Sequence, residues 1–262
     1  MSVRELAGAA IFKLSRFVLR LFGHSVSLGA NTMSYPELSN QELNFVTKVH
    51  SQGLTMTSLD SLKTLAVACK YLTLRRIEGD IVESGVWRGG SALVCAYFLR
   101  ADQSLYLFDT YAGMTRPGKE DFRIGENDNS NTLKKWSGLK DGETSNWVKA
   151  TLSEVQRNFG KFSLLNNRIQ FIEGKVEETI PKVSLPRKLA LVRIDTDFYS
   201  STKIALESFW PNLSPGGILI LDDYAHWDGA RRAADEFFAK SPQLMIPIAG
   251  GGGRLIIKSN MA

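Results

Sequence analysis

Cysteine is scarce in this sequence, and its scarcity excludes several classes of protein. Only two cysteines occur among 262 residues. Cys69 and Cys95 each lie among apolar residues in helix-like segments, which favours buried free thiols over a disulfide or a metal site. We therefore expect a reducing environment.

Long apolar runs and strongly basic runs are also missing. No apolar run is long enough to cross a membrane, and the N-terminus lacks the apolar core and cleavage site of a signal peptide, so we predict a cytoplasmic protein. The net charge is +5, of which residues 1–24 contribute +3. The rest of the chain is nearly neutral and has no basic run, so we expect no nucleic-acid partner.

The composition that is present is that of a soluble globular protein. Hydrophobic residues make up 44% and charged residues 23% of the chain. The length suits one large α/β domain preceded by helices. We divide the chain into a helical N-terminal extension, 1–54, and a catalytic domain, 55–262.

Sequence patterns typical of strands alternate with patterns typical of helices along the catalytic domain. We predict strands at 80–84, 104–109, 169–173, 189–195, 217–222, 243–248 and 254–258. We predict helices at 40–51, 57–74, 89–101, 151–162, 200–209 and 228–239. Strands such as Leu189–Ile194 are almost continuously apolar, which is typical of a sheet covered on both faces. The pattern predicts a doubly wound, mostly parallel α/β sheet.

Two segments stand outside this alternation. Residues 9–22 form a basic amphipathic pattern, for which we weigh a membrane-surface contact against packing on the protein or on a second subunit, and favour packing. Residues 111–147 form an unusually long connection with Trp136 and Trp147, and we interpret it as a lid over the substrate.

A glycine turn follows the first predicted strand of the sheet. Glu83 ends that strand, and Gly85 begins a turn that leads into a helix near Gly89. Such a unit opens nucleotide-binding folds, but it lacks the G-x-G-x-x-G pattern of dinucleotide sites. Asp109, at the end of the second strand, suits a ribose diol, although capping of the strand end is the alternative.

Two further segments are candidates for cofactor contacts. Met56 and Thr57 precede the second helix, whose N-terminus can face a ligand, although hydroxyl residues there often act as caps. Gly174 follows the third strand, in a loop that can border a base ring. We include both segments and Asp195 in the predicted cofactor-binding set.

Four carboxylates follow two strands that we expect to be neighbours. They are Asp195, Asp197, Asp222 and Asp223. Without a counter-charge these groups would repel one another and raise one another's pKa values, which a hard divalent cation such as Mg²⁺ would prevent. The alternative is that Asp195 pairs with an arginine and that Asp222 and Asp223 cap a turn.

The same carboxylates provide the predicted catalytic residues. We predict Asp195, Asp222 and Asp223 as metal ligands and Asp197 as a general base close to the metal. His226 is the alternative base, because its ordinary pKa is near neutral.

Four segments together resemble the macrocin O-methyltransferase family. They are Glu83-Ser-Gly-Val-Trp-Arg-Gly-Gly90, Phe108-Asp-Thr-Tyr-Ala-Gly-Met114, Arg193-Ile-Asp-Thr-Asp-Phe-Tyr-Ser200 and Pro215-Gly-Gly-Ile-Leu-Ile-Leu-Asp-Asp-Tyr224. The resemblance covers about Thr55 to Phe238. It implies a class I S-adenosylmethionine-dependent fold, Rossmann-like, with a seven-stranded sheet whose last strand is antiparallel.

The resemblance also implies a reaction and the residues that carry it. The reaction is Mg²⁺-assisted methylation of a sugar hydroxyl on a glycosylated natural product. The family's metal positions fall on Asp195, Asp222 and Asp223, and its base falls on Asp197. Its cofactor positions fall on Glu83, Gly85 and Asp109, with added contacts from residues 55–57.

Other functions are weighed against this one. A catechol is an alternative acceptor. A nicotinamide-dependent dehydrogenase is the runner-up on fold alone, and a cofactor-binding module without catalysis is the alternative from another class. The resemblance and the apolar N-terminal pattern also lead us to expect a homodimer or a larger homo-oligomer.

Overall fold

The predicted strands form one seven-stranded sheet in the computed structural model, which describes residues 34–184 and 186–259. The strands of the chain are β1 (Asp80–Ser84), β2 (Leu105–Asp109), β3 (Lys140–Asp141), β4 (Thr144–Ser145), β5 (Ile169–Glu173), β6 (Leu189–Ile194), β7 (Leu213–Leu221), β8 (Ile246–Pro247) and β9 (Arg254–Ile257). The order in the large sheet is β5-β2-β1-β6-β7-β9-β8. The pairs from β5 to β7 are parallel, and β9 runs antiparallel to both β7 and β8. The predicted mostly parallel, doubly wound sheet with an antiparallel last strand is confirmed.

Eight α-helices connect or flank the strands in the described part of the chain. They are α1 (Asn40–Ser51), α2 (Leu59–Leu74), α3 (Gly90–Tyr97), α4 (Ser130–Gly138), α5 (Leu152–Lys161), α6 (Val176–Thr179), α7 (Tyr199–Phe209) and α8 (Asp228–Phe238). A 3₁₀ turn, Ile180–Lys182, follows α6. The sheet order reverses between β1 and β6, so their carboxyl ends border the crevice where open α/β sheets bind ligands.

Each face of the sheet carries its own hydrophobic core. On one face, Leu62 of α2 and Phe159 of α5 pack with Leu107 and Leu191 of the sheet. On the other face, Phe209 of α7 and Phe238 of α8 belong to a second cluster with further sheet residues. All six positions of β6 are buried, which explains its continuous apolar sequence.

Helix caps explain where the first two helices begin. Ser39 caps α1 with a reciprocal pair of bonds: the Ser39 backbone N–H donates to Glu42 Oε2 at 2.6 Å, and the Glu42 N–H donates to Ser39 Oγ at 3.3 Å. Ser58 caps α2, so this helix begins at Leu59 rather than at the predicted residue 57.

Other element boundaries differ from the predictions at their ends. β7 begins at Leu213, four residues before the predicted start. α3 ends at Tyr97 instead of residue 101, and β8 contains only two residues. Continuous apolar sequence does not mark these ends, because the hydrogen-bonding partner strand or helix decides them.

The predicted lid segment has structure of its own. It contains α4 and the small β3–β4 hairpin, neither of which the sequence predicted. Trp136 and Trp147 are buried with Phe198 and Trp227 in a third hydrophobic cluster. Asp121 is also buried, and its Oδ1 accepts the Tyr199 N–H at 2.7 Å, which caps α7. The lid role of this segment stays a prediction.

The N-terminal prediction is covered only in part. The amphipathic segment 9–22 lies outside the described residues. From Tyr35 onward the chain forms one compact unit. Phe45 of α1 stacks on Tyr97 of α3 with ring centroids 4.2 Å apart, so α1 packs against the sheet's helical layer. Among the described residues, no helix is long and apolar enough to cross a membrane.

Candidate active site

One cavity of about 370 Å³ lies at the carboxyl ends of the central strands. Segments that are distant in sequence meet around it. The lining includes Met56, Thr57, Gly85, Trp87, Ser91, Asp109, Met114, Arg123, Val148, Asp195, Asp197, Asp222, Asp223, His226 and Gly250–Gly253. The cavity therefore brings together most of the predicted site residues.

The glycine turn after β1 forms the floor of this cavity. Gly85 has a positive φ of 84°, and a Cβ there would collide with the backbone carbonyl oxygen of Asp195. Only glycine permits this approach between the β1 and β6 ends. The required glycine at 85 thus serves close packing of two strand ends as well as access to a ligand.

Glu83 lies behind the cavity wall. Its side chain is fully buried, and its Oε1 accepts from Ser91 Oγ and from Arg193 Nη1 at 2.6 Å. Burial raises the pKa of the Glu83 carboxyl above its ordinary value, against the opposing charge of Arg193. Its Oε2 is a buried acceptor without a partner.

Asp109 caps the glycine turn. Its Oδ2 accepts the backbone N–H groups of Val86 at 2.6 Å and Trp87 at 3.0 Å, and its Oδ1 accepts that of Tyr111 at 2.8 Å. The capping alternative therefore describes the observed contacts. The same carboxylate also lines the cavity, so its predicted role toward a ribose stays a prediction.

Of the remaining predicted cofactor residues, Met56 and Thr57 line the cavity and Gly174 does not. Met56 is 66% exposed at the mouth of the cavity, and Thr57 lies beside it. Gly174 does not line the cavity, whereas Lys175 and Val176 of the same loop do. The Gly174 N–H donates to the Asp109 carbonyl oxygen at 2.9 Å, which extends the β2–β5 pairing.

Three of the predicted carboxylates converge. Asp195, Asp222 and Asp223 each offer one oxygen atom, and these atoms lie within 4.8 Å of one another. Burial raises the pKa of Asp195 well above its ordinary value; Arg193 opposes that rise, and the charges of Asp222 and Asp223 add to it. Burial likewise raises the pKa of Asp223, and the Asp197 charge adds to the effect.

Arg193 provides a counter-charge to the carboxylates. Its side chain is 1% exposed. Nη1 donates to Asp195 Oδ2 and Nη2 donates to Asp222 Oδ1, both at 2.7 Å. The alternative in which an arginine pairs with Asp195 is thus observed. It does not exclude a cation, because Asp223 forms no ion pair with Arg193 and each paired aspartate has a second oxygen.

Asp197 is held in an unusual backbone conformation. Its φ is 60°, in the left-handed region that few residues other than glycine adopt. Its backbone N–H donates to Asp223 Oδ2 at 3.1 Å. Burial, followed by the charge of Asp195, raises the pKa of Asp197 to about 7. Backbone strain of this kind is concentrated at functional sites.

His226 also lines the cavity. It is exposed, and its ring lies so close to Gly252 that a Cβ at that position would be 2.9 Å from it. Its backbone carbonyl accepts the Ile124 N–H at 3.0 Å, which ties it to the 111–147 segment. The structure therefore places both predicted bases at the cavity, on different segments.

Two features of the site did not follow from the sequence: the buried Arg193 behind the carboxylates and the glycine run of the cavity wall. Arg193 interrupts a continuous apolar strand, and a charge in such a strand must be paired, which was a usable signal. The run Gly250–Gly253 lies in the β8–β9 connection and forms a wall of the cavity. Four consecutive glycines next to a strand were its signal in the sequence.

The fold and the site together define a class I S-adenosylmethionine-dependent methyltransferase. The sheet order, the glycine turn after β1 and the acidic residue at the end of β2 are the features on which this class depends. The solved structure of the O-methyltransferase NovP agrees: it has a TM-score of 0.66 and 27% identity, and the match covers 78% of this chain and 82% of that one.

The sequence comparisons narrow the class to a family. The model of the macrocin-O-methyltransferase family matches residues 12–249, so the chain belongs to that family. A tetracenomycin-C rhamnosyl 4'-O-methyltransferase of Streptomyces olivaceus is 33% identical over 70% of this chain and 67% of its own length. Mycinamicin III 3''-O-methyltransferase of Micromonospora griseorubida is 29% identical over 80% and 79% of the two chains.

Family membership decides between the hypotheses of the sequence analysis. The protein is an S-adenosylmethionine-dependent O-methyltransferase, which confirms the resemblance that the four motifs carried. The nicotinamide-dependent dehydrogenase and the non-catalytic module are not supported.

Proposed function

We propose that this enzyme methylates a hydroxyl group on the sugar of a glycosylated natural product and that Mg²⁺ assists the reaction. The named relatives act on such compounds. The observation that carries the proposal is the convergence of three carboxylates within 4.8 Å beside the cavity. A sugar hydroxyl is a very weak acid, so its methylation requires a group that stabilises the developing negative charge.

The donor set fits a hard divalent cation. Asp195, Asp222 and Asp223 present only oxygen ligands, as Mg²⁺ prefers. One guanidinium, Arg193, faces these carboxylates together with Glu83, so negative charge remains to be neutralised. When bound, Mg²⁺ supplies Lewis-acid polarisation that lowers the pKa of an acceptor hydroxyl.

The part of the cavity lined by Gly85 and Asp109 fits the methyl donor. Glu83 lies behind the lining with a buried Oε2 that has no partner, and its negative charge favours the cationic amino group of a methionine moiety in front of it. Gly85 keeps the floor free of side-chain atoms, and Asp109 lies at the β2 end where a ribose is expected. Met56 and Thr57 border the same end. Gly174 does not line the cavity, but the next two residues of its loop, Lys175 and Val176, do.

Asp197 is the proposed general base. It lines the cavity next to the carboxylate cluster, and its strained backbone fixes the direction of its side chain. Its carboxylate accepts the acceptor's hydroxyl proton, and the oxygen then attacks the sulfonium methyl group in line, so that an O–C bond forms as the S–C bond breaks and S-adenosylhomocysteine leaves. His226, the alternative base, is exposed and borders the part of the cavity that the acceptor enters.

The remaining walls are proposed to hold the acceptor. Arg123, Met114 and Val148 come from the 111–147 segment, and Gly250–Gly253 come from the β8–β9 connection. These walls mix apolar surface with one guanidinium, and sugars pack well against such surfaces through their C–H faces and hydroxyl groups. The expected homo-oligomer and the expected cytoplasmic location stay predictions.

A methyl-transfer assay tests the proposal. Purified enzyme, S-adenosylmethionine and a panel of deoxysugar glycosides are incubated with EDTA, and then with Mg²⁺ in excess over EDTA. We expect methylated sugar products that depend on Mg²⁺. A catechol in the same panel tests the alternative acceptor. Full activity in EDTA would contradict the proposed need for Mg²⁺. Methylation of the catechol but of no glycoside would contradict the proposed sugar acceptor.

A further inference from the structure

Arg193 connects residues proposed for the methyl donor with residues proposed for the cation. Its guanidinium bonds to Glu83 and Ser91 on the β1–α3 side and to Asp195 and Asp222 on the carboxylate side. In addition, Nη2 donates to Thr57 Oγ1 at 3.1 Å. One side chain thus contacts five others, four of which are distant from it in the chain.

The geometry of these bonds determines how the aspartates face the cavity. Arg193 occupies Oδ2 of Asp195 and Oδ1 of Asp222, so the other oxygen of each carboxylate is turned away from it. A planar guanidinium can hold several acceptors in fixed directions, whereas an ammonium group of the same charge cannot. The orientation of two proposed metal ligands therefore depends on the forked shape of the guanidinium group (the fork) and not on its charge alone.

We propose that Arg193 is a positioning residue that orients Asp195 and Asp222 for the cation and Thr57 and Glu83 for the methyl donor. It touches neither reactant and acts through these four neighbours. The inference rests on the proposed Mg²⁺ site and deepens it, because it links metal affinity to cofactor affinity through one buried side chain.

A role as a simple counter-charge predicts a different change in Mg²⁺ affinity when Arg193 is lost. If Arg193 only offset negative charge, its loss would strengthen Mg²⁺ binding, because one positive charge fewer would oppose the cation. If it positions the carboxylates, its loss weakens Mg²⁺ binding even though the local charge becomes more negative. A variant that keeps the net charge of the site therefore separates the two roles, because a counter-charge role then predicts an unchanged Mg²⁺ affinity and a positioning role predicts a weaker one.

The first variant is Arg193→Lys, which keeps the charge and removes the fork. Calorimetry measures Mg²⁺ binding to the enzyme without cofactor and S-adenosylhomocysteine binding in EDTA. We expect both affinities to fall ~10- to 100-fold, as for other groups that orient metal ligands. Arg100→Lys is the matched control, since Arg100 pairs with Asp102 far from the cavity, and it should change neither affinity.

The second variant addresses the buried charge of Glu83. Glu83→Gln combined with Arg193→Met removes the pair together, which avoids an unpaired buried carboxylate. We expect this double variant to fold and still bind Mg²⁺ more weakly than the wild type. The net charge of the site is the same in this double variant as in the wild type, so unchanged or tighter Mg²⁺ binding would overturn the proposal, as would unchanged affinities in Arg193→Lys.

A third variant gives an answer even if both Arg193 variants fail to fold. Thr57→Val alters a loop residue that is not a carboxylate, and it removes one contact of the fork. We expect about a threefold loss of Mg²⁺ affinity, the size of one hydrogen bond; no loss would overturn the proposal. A wild-type enzyme that binds no Mg²⁺ would instead contradict the proposed metal site itself.

Discussion

The cavity has two halves that the chain builds in different ways. The sheet half consists of the strand ends that carry Glu83, Asp109, Asp195 and Asp222, each held by hydrogen bonds to neighbouring strands or to Arg193. The loop half consists of the 111–147 segment, held by an aromatic cluster, and the β8–β9 connection, held by backbone hydrogen bonds such as that from the Ala225 N–H to the Gly252 carbonyl oxygen. The first half is fixed by strand order, and the second is fixed by side-chain packing.

This difference indicates how function is divided. Residues at strand ends keep their mutual distances because the sheet is rigid, which suits bond-making chemistry. Loops tolerate sequence change as long as their packed side chains remain buried, which suits recognition of different acceptors. We therefore expect changes in the sheet half to affect turnover and cofactor or metal binding, and changes in the loop half to affect stability and acceptor binding.

The largest expected effect is at Asp197, in the sheet half. Asp197→Asn removes the proposed base while keeping the size of the side chain. We expect kcat to fall about 10²- to 10⁴-fold, the usual contribution of general base catalysis. Steady-state kinetics measures it, with S-adenosylhomocysteine affinity as a check on folding.

His226→Gln is the companion variant for this measurement. Because His226 is exposed and borders the acceptor side, we expect mainly an increase in acceptor KM. A larger fall in kcat for His226→Gln than for Asp197→Asn would reverse the assignment of the base.

The next largest effect is expected on stability, at Trp136 in the loop half. This side chain is 5% exposed, and its Nε1–H donates to the Met114 carbonyl oxygen at 3.1 Å. Trp136→Ala is expected to lower the free energy of unfolding by about 3 kcal/mol, the cost of removing a large buried side chain. Urea denaturation measures the loss. If S-adenosylhomocysteine affinity fell as well, the two halves would not be independent.

A metal-ligand change gives a selective effect in the sheet half. Asp222→Ala is expected to weaken Mg²⁺ binding by at least about tenfold, because even groups that only orient ligands contribute that much. Calorimetry measures the affinity. Asp235→Asn, on α8 and bonded to the Tyr224 hydroxyl, is the control that should bind Mg²⁺ like the wild type. Equal affinity in Asp222→Ala would remove Asp222 from the ligand set.

The smallest effect is expected at Gly252. A Cβ there would lie 2.9 Å from the His226 ring, so the ring must move in Gly252→Ala. We expect a stability loss of about 1 kcal/mol and an increased acceptor KM, with unchanged cofactor affinity. Gly160→Ala is the control: that glycine lies in α5 with open space around its Cβ position, so alanine should stabilise the helix by about 0.5–1 kcal/mol.

Hydrophobic periodicity predicted most of the sheet from the sequence. The strand Leu189–Ile194, apolar except for Arg193, is buried on both faces, which is the environment typical of such a sequence. Segments without such periodicity were predicted poorly. α4 and the β3–β4 hairpin lie in a polar stretch, and their stability depends on the burial of Trp136 and Trp147 against distant residues.

In the candidate site, too, some features followed from the sequence pattern and others depended on contacts between distant residues. Because carboxyl ends of parallel strands meet at one edge, the positions of Asp195, Asp222 and Asp223 followed from strand assignments alone. The role of Arg193 did not follow, because its bonds join residues up to 136 positions apart in the chain. The loop after β5 reaches the cavity through Lys175 and Val176 and not through Gly174, and its predicted cofactor role stays a prediction.

The sequence by itself determined the family, the alternation of strands and helices, and the set of carboxylates at the strand ends. These depend on local patterns and on residue order, which one chain displays directly. The tertiary structure decided the partners of Glu83 and Asp195, the strained conformation of Asp197 and the burial of the tryptophan cluster. Such features arise only when distant segments come into contact, since a buried charge or aromatic ring is stabilised by whichever groups the fold brings to it.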